Sequence, residues 1–288
     1  MSVIELKNVR YVYGKKTPYE KCALDNISLQ IKENTVTGLI GHTGSGKSTL
    51  VQMFNGLLRP DMGEVYVDGV NIWDKPKEMQ KIRFKVGMVM QYPEYQLFAD
   101  TVWEDIAYGP KNMGIDGDEL KERVEKSARF CGLKADVLAK SPFDLSGGQK
   151  RRVALAGIMA MEPKVLVLDE PAAGLDPRGR SEILGGICQY QRESGTTVVI
   201  VSHSMEDMAK YCDEIFVMSH AKLILHGDCK EVFSQSELLH SAGLDVPEIS
   251  GLIRALRKKD VDISKYIYTV DGAVEEICKY VRGDQDGI

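Results

Sequence analysis

The sequence predicts an α/β domain with a parallel core sheet and an antiparallel β layer, followed by a small C-terminal helical domain. Three observations carry that prediction. Compact β-branched or aliphatic runs without polar alternation stand at 36–40, 165–168 and 198–201, as expected of strands covered on both faces in a parallel sheet. Period-two runs at Ile4, Leu6, Val9 and Tyr11, at Ile27, Leu29 and Ile31, and at Val65 and Val67 read as half-buried strands of an antiparallel layer. Helical stripes lie between the strands: Leu120, Val124 and Ala128, then Ile183, Leu184, Ile187 and Tyr190. Such an alternation places a ligand beyond the strand ends.

The bulk properties narrow the function. A chain of 288 residues holds one large domain or a domain with an appendage. Its 37 Lys and Arg against 42 Asp and Glu leave a net charge of −5, which argues against the clustered basic surface that nucleic acid needs. Six cysteines, Cys22, Cys131, Cys188, Cys212, Cys229 and Cys278, form no C-x-x-C pair and read as reduced thiols that mostly fill core. The charged start resembles no signal peptide. The longest apolar run, 153–161, is well short of the ~18–20 residues of a membrane span, so any membrane role is expected to come through a partner.

Along the chain, the strand at 36–40 runs into Gly41-His42-Thr43-Gly44-Ser45-Gly46-Lys47-Ser48, which fits G-x-x-x-x-G-K-[ST], and Ser48-Thr49 opens a helix. The glycines let backbone N–H groups curl around phosphate oxygens, and the helix start adds partial positive charge. Lys47 is expected to reach the β and γ phosphates and Ser48 to bind Mg²⁺, with Thr49 beside them. The strand at 165–168 ends in Asp169 and Glu170. That position suits Asp169 to hold the metal through its water shell and Glu170 to take a proton from the attacking water. Upstream, Leu145-Ser146-Gly147-Gly148-Gln149 precedes Lys150-Arg151-Arg152 and a helical run. Basic groups in a first helical turn oppose the helix dipole, so an anion is expected to dock there, and one nucleotide is then approached from two directions.

These motifs, in this order, resemble the ATP-binding cassette (ABC) ATPases from about residue 4 to about residue 227. The resemblance implies an ABC-type P-loop nucleotide-binding domain over 1–227, with a helical subdomain at about 91–163, and ATP and Mg²⁺ as cofactors. It implies that Ser146, Gly147, Gly148 and Gln149 press on the ATP of an opposite subunit, so that two subunits enclose two nucleotides. It further assigns Gln91 to a loop that senses Mg²⁺ and the attacking water, His203 to the γ-phosphate and Asp176 to the loop touching the other subunit's site. Tyr13 resembles the aromatic that stacks on adenine, with Tyr11 close enough to leave the register open. Ala172-Ala173 departs from the Thr or Ser frequent there, without loss of a catalytic group.

The segment from Gln91 through Phe98 and on to Asn112 resembles the ATPases of energy-coupling factor (ECF) transporters, which drive uptake of vitamins or of nickel and cobalt ions. Physically, Leu97, Phe98, Val102, Trp103 and Tyr108 offer apolar anchors, and Glu94, Asp100, Glu104 and Asp105 an acidic rim, as suits a helix-in-groove interface. The implied partners are a transmembrane coupling protein docking near 91–112, a substrate-binding membrane component acting indirectly, and a second, non-identical ATPase subunit. The implied place is the cytoplasmic face of the membrane, peripherally. The His42-Thr43 pair and the overall length resemble the second of the two ATPase types. Residues 228–288 match a C-terminal helical domain that pairs ATPases, with stripes at Ile249, Leu252, Ile253 and Leu256 and at Ala273, Val274, Ile277 and Val281. Two other readings stand beside this one: a soluble cassette ATPase acting on ribosomes or DNA, and a binding module whose tail senses a small ligand. Whether the pair is two copies or a mixed pair, and which substrate is moved, are open at this point.

Overall fold

A computed structural model describes residues 1–283; the last residues of the expected C-terminal domain, 284–288, lie outside the described residues. Ten strands form two sheets: β1 (Ser2–Tyr13), β2 (Lys21–Lys32), β3 (Val36–Gly41), β4 (Met62–Val67), β5 (Val70–Asn71), β6 (Val86–Val89), β7 (Val165–Asp169), β8 (Thr197–Val201), β9 (Glu214–Ser219) and β10 (Lys222–Gly227). The first sheet is antiparallel in the order β2-β1-β4-β5. The second has the order β10-β9-β3-β8-β7-β6, parallel except for the edge strand β10. The period-two and continuous runs thus fall in the sheets expected of them. The short β6 and the continuous apolar run of β9 are additional; the second carried the same signal as its neighbours.

Alternate residues of the parallel strands feed two cores. Leu39, Val165, Val167, Val199 and Val201 face the antiparallel sheet and helix α1 (Lys47–Phe54), meeting Leu6, Ile27, Leu29, Leu50 and Phe54. Ile40, Leu166, Leu168, Val198 and Ile200 face the other way. After the short α2 (Met79–Lys85), that second side is covered by α3 (Val102–Asn112), α4 (Gly117–Phe130), α5 (Gly147–Met159), α6 (Pro177–Ser194) and α7 (Met205–Tyr211). Full burial of each such aliphatic side chain contributes about 1.5–3 kcal/mol. Ordinary capping sets the helix starts: Thr101 accepts from the Glu104 N–H, and Asp176 from the Gly179 N–H.

Beyond β10 the tail has two parts. Helices α8 (Cys229–Phe233) and α9 (Ser236–Ser241) place Val232, Phe233 and Leu239 in the same core as the sheet, and Leu244 just beyond α9 joins them. After Pro247, α10 (Glu248–Arg257) and α11 (Val270–Gly283) enclose a small separate core of Ile253, Ile263, Ile267 and Ala273. Of the two stripes read in the tail, Ile249, Leu256 and Ile277 are partly buried against that core, whereas Leu252, Val274 and Val281 are exposed. The reason is angular: Leu252 and Val274 are one residue off the buried Ile253 and Ala273, hence about 100° round the helix.

Because Leu239 is fully buried in the sheet's own core, Leu239→Ala should cost the cassette about 2–5 kcal/mol. Urea unfolding followed at Trp73 and Trp103 checks this, since both tryptophans lie in the cassette; an unchanged midpoint would mean that α9 is only an appendage.

Candidate active site

The phosphate loop begins where β3 ends. A Cβ at Gly41 would collide with the Met218 carbonyl and the Ser45 hydroxyl, and Gly46, at φ +109°, has the Ala23 carbonyl where a side chain would stand. Glycine is therefore required at both positions by close approach, and at Gly46 also by backbone conformation. Gly46 caps α1 without a side-chain hydrogen bond, and the first turn carries no acid, so the helix start keeps its N–H groups for a ligand. The turn between β9 and β10 braces the loop from behind. There His220 and Ala221 both have positive φ, the Ala221 N–H donates to the Ser45 carbonyl (3.1 Å) and the His220 N–H to His42 Nε2 (3.3 Å). His42 Nδ1 lies 3.0 Å from the carbonyl of Thr43, and Thr43 and Gly44 are exposed.

Lys47 folds over this loop, its Nζ donating to the carbonyls of Gly41 (2.7 Å) and His42 (3.2 Å). Burial pushes its amine below the usual lysine range, and the nearby Glu170 and Asp169 oppose that shift. The Ser45 hydroxyl is buried and has no hydrogen-bond partner. An orphaned donor, an uncapped helix start and an amine bonded only to loop carbonyls together fit a polyanion. The adjoining cavity, about 160 Å³, is lined by Tyr13, Lys21, Gly44, Lys47, Ser48 and Thr49 among others. Tyr13 borders it, with its hydroxyl 3.2 Å from Thr49 Oγ1, whereas Tyr11 packs on the core between the sheets. Lys21 was missed by sequence reasoning. It opens β2 far from the loop in sequence, and only the pairing of β2 with β1 brings it here.

Next to the loop stand the two carboxylates. Asp169 closes β7 and is buried, with the Ser48 hydroxyl and Lys47 near enough to favour its charged form. Burial raises its pKa above the usual carboxylate value and Glu170 adds to the rise, against the pull of Ser48 and Lys47. Ser48 and Asp169 thus pair two hard oxygen donors of the kind that suits Mg²⁺. Glu170 is held at φ +54°, a left-handed conformation that costs a non-glycine residue about 1–3 kcal/mol. Its N–H donates to the Val201 carbonyl (2.9 Å), and its carboxylate lies 2.8 Å from Nδ1 of the exposed His203. The structure therefore brings Lys47, Ser48, Asp169, Glu170 and His203 to one rim.

The Leu145–Gln149 segment is not part of that cavity wall. Ser146 and Gln149 form a capping box at the start of α5, which accounts for their spacing by local structure. The basic turn also differs from expectation. Arg151 is buried, pairs through two contacts with Glu94 (3.2 and 3.1 Å) and donates to the Ala173 carbonyl. Arg152 bonds the Cys131 carbonyl (2.9 Å) and Glu182 (2.8 Å). Both arginines tie the helical layer together and are not free for a docking anion. The glycines are left without an internal reason: a Cβ at Gly147 would meet nothing within 4 Å, and at Gly148 only Leu175 in ordinary contact.

The ABC transporter family model matches residues 24–173. The energy-coupling factor transporter ATP-binding protein EcfA2 of Clostridium perfringens is 52% identical over 282 residues, covering 98% of this chain and 99% of the relative. The chain belongs to the ECF transporter ATP-binding proteins of the ABC family. EcfA2 of Clostridium acetobutylicum is likewise 52% identical, over 97% of this chain and 98% of the relative. Among solved structures, cbiO1 of Clostridium perfringens, described as part of the ABC transporter complex cbiONQ, has TM-score 0.75 and 39% identity, covering 88% of this chain and 99% of that one. The dimeric cassette MJ0796 bound to ADP and Pi has TM-score 0.71 and 30% identity, over 78% of this chain and 98% of that one. The activity of this family is ATP hydrolysis coupled to transport.

In this ECF-type ATPase, Gln91 follows β6 and is exposed, and Asp176 is an exposed N-cap. A groove of about 310 Å³ opens beside Gln91, between α3 and α5, lined by Leu97, Phe98, Tyr108, Val153, Ile158 and Met161 among others. Phe98 and Tyr108 meet edge to face at 4.8 Å and stay half exposed. Two details differ from the sequence reading. Val102 is fully buried and belongs to the core, because it opens α3 on its inner face. Glu94 is spent on Arg151, and Asp105 accepts from the N–H groups of Phe98 (3.2 Å) and Ala99 (3.4 Å), so only Asp100 and Glu104 remain as exposed acids on the rim.

The raised pKa of Asp169 yields a signed prediction. The native state holds this proton more tightly than the unfolded chain, so stability falls as pH rises from the unfolded to the folded pKa, and the penalty is complete above the latter. In nucleotide-free protein Asp169→Asn should raise Tm at neutral pH, and the gain should shrink as pH falls through the carboxylate range. A gain that does not vary with pH in thermal scans would contradict it.

Proposed function

We propose that this chain is one half of a mixed ATPase pair at the cytoplasmic face of the membrane, powering uptake of a vitamin or a transition-metal ion through a transmembrane coupling protein. The observation that carries the pairing is the start of α5. Gly147 and Gly148 occupy its first turn, yet no contact within the chain excludes a methyl group at either. A helix start outside its own nucleotide cavity whose Gly147 and Gly148 leave the backbone uncovered between the capping residues makes sense if another subunit's phosphate lies against it. The match to proteins named EcfA2, and the naming of cbiO1 as part of a larger complex, support a second ATPase and membrane components as companions. Among the described residues no helix is long and apolar enough to cross a membrane, so coupling has to pass through a docked surface, and the groove beside Gln91 supplies one. The tail past residue 227 adds to the pairing surface.

Within a closed pair, Lys47 leaves the Gly41 and His42 carbonyls for the β and γ phosphates, and the N–H groups from Gly44 to Thr49 surround them. The Ser45 hydroxyl gains its missing partner. Tyr13 stacks on adenine. Ser48, Gln91 and, through its water shell, Asp169 would hold a magnesium ion, which would supply neutralisation of the phosphate charge. His203 swings from Glu170 to the γ-phosphate, which frees the Glu170 carboxylate to take the proton of the attacking water. Ser146 to Gln149 and Asp176 act across the interface on the companion's nucleotide.

Two variants separate these roles. Glu170→Gln should keep ATP affinity and lose about 10²–10⁴-fold in turnover, while Lys47→Ala should lose nucleotide affinity itself; wild-type turnover in Glu170→Gln would remove it as the base. Gly147→Ala should leave Tm and the ATP affinity of the isolated chain unchanged and lower turnover of the assembled complex by about tenfold or more, a loss of roughly 1.4 kcal/mol in transition-state stabilisation. Full turnover of the complex carrying Gly147→Ala would show that nothing docks on α5.

A further inference from the structure

A cavity of about 410 Å³ lies away from the nucleotide site, in the seam between α8, the start of α9, α10 and the segment at 265–268. Its back wall is apolar and buried: Phe233, Ile253 and Tyr268, with the Phe233 and Tyr268 rings 5.4 Å apart. Its mouth is basic. Arg254 and Arg257 project from α10, Lys258 from its C-cap and Lys265 from the following loop, while among the described residues no Asp or Glu lines it. Among the described residues none of these four cations forms an ion pair. Arg257 is held in place by donating to the Ile263 carbonyl (2.6 Å), and Lys265 by lying 4.9 Å from the centre of the Tyr266 ring. The Ser250 hydroxyl, enclosed in the same wall, has no hydrogen-bond partner.

We propose that this cavity binds a phosphate ester whose body is apolar or ring-bearing. Among the described residues these four cations have no acidic partner although the chain's net charge is −5, and an anion among them relieves their mutual repulsion. Guanidinium forks match phosphate oxygens, and charge-assisted bonds of this kind are the strong ones. The orphaned Ser250 hydroxyl supplies a further donor, since a buried hydroxyl without a partner is unfavourable. The apolar back wall takes the rest of the molecule, and the volume falls in the range of about 300–1,000 Å³ usual for small-molecule sites. The ester is either a soluble metabolite or a lipid headgroup with its first acyl carbons. Because Phe233 belongs to the sheet's core and Ile253 to the small core of the tail, an occupant bridges the two.

The full chain, with ADP and Mg²⁺ saturating the phosphate loop, is titrated calorimetrically with pyridoxine 5′-phosphate and with inorganic phosphate, and sedimented with vesicles of phosphatidylglycerol in phosphatidylcholine. The expected result is one bound pyridoxine 5′-phosphate per chain or vesicle binding, the first marking a soluble ester and the second a lipid headgroup. Either should weaken by about tenfold or more in the double variant Arg254→Ala/Lys258→Ala, each charge-assisted bond being worth at least that factor. Both side chains are exposed and unpaired, so the variant's Tm without probe serves as the check on folding. Absence of binding by both phosphate probes up to about 10 mM and by the vesicles, or binding that the double variant leaves unchanged, overturns the proposal.

Discussion

Parallel pairing of β3, β8 and β7 in one register is the constraint on which the site depends. Leu39 and Asp169 both stand opposite Val201, so β7 and β8 end level, β3 runs two residues further to Gly41, and the residues that follow all three strands share one rim. What continues from each tip is a different chemical part: the phosphate loop from β3, Glu170 from β7, His203 just beyond β8. The hydrogen bond from the Glu170 N–H to the Val201 carbonyl extends the ladder by one residue and fixes the left-handed turn that aims the carboxylate. A slip of one residue would turn each strand's core residues to the opposite face, and since both faces are packed, the register and the site are specified together.

The same logic explains how force leaves the site. Helix α5 has the exposed Ser146 and Gly147 at one end, while Val153, Ile158 and the nearby Met161 line the groove beside α3. The Arg151 to Glu94 pair locks that helix to the chain just after Gln91. A buried pair of this kind costs about 3–5 kcal/mol to break by removing one partner, so it ties the first turns of α5 to the segment just after Gln91. In the proposed pair, closure over nucleotide is passed along α5 towards the groove.

Much of this was legible in the sequence because each catalytic part has a local cause. Gly41 to Ser48 needs only a strand before it and a helix after it, and Asp169-Glu170 needs only an aliphatic lead-in. Long-range pairing was not legible. Arg151 and Arg152 looked like solvated cations beside an anion site because nothing local reveals that Glu94 and Glu182 wait on other elements. Lys21 reaches the phosphate cavity only through strand pairing, and Tyr13 is set apart from Tyr11 only by the register of β1. The split of the tail after Pro247 escaped for the same reason: α8 and α9 differ little in pattern from α10, and only contact with the sheet shows which core they join.

The central claim is that one chain holds half of a hydrolytic site. Its most direct test is the specific ATPase activity of the purified chain across a dilution series, alone and with a stoichiometric second ATPase subunit. The account predicts that turnover per chain falls on dilution as the pair dissociates and is restored by adding the companion. Turnover per chain that stays constant down to concentrations where sedimentation shows only monomer would contradict it.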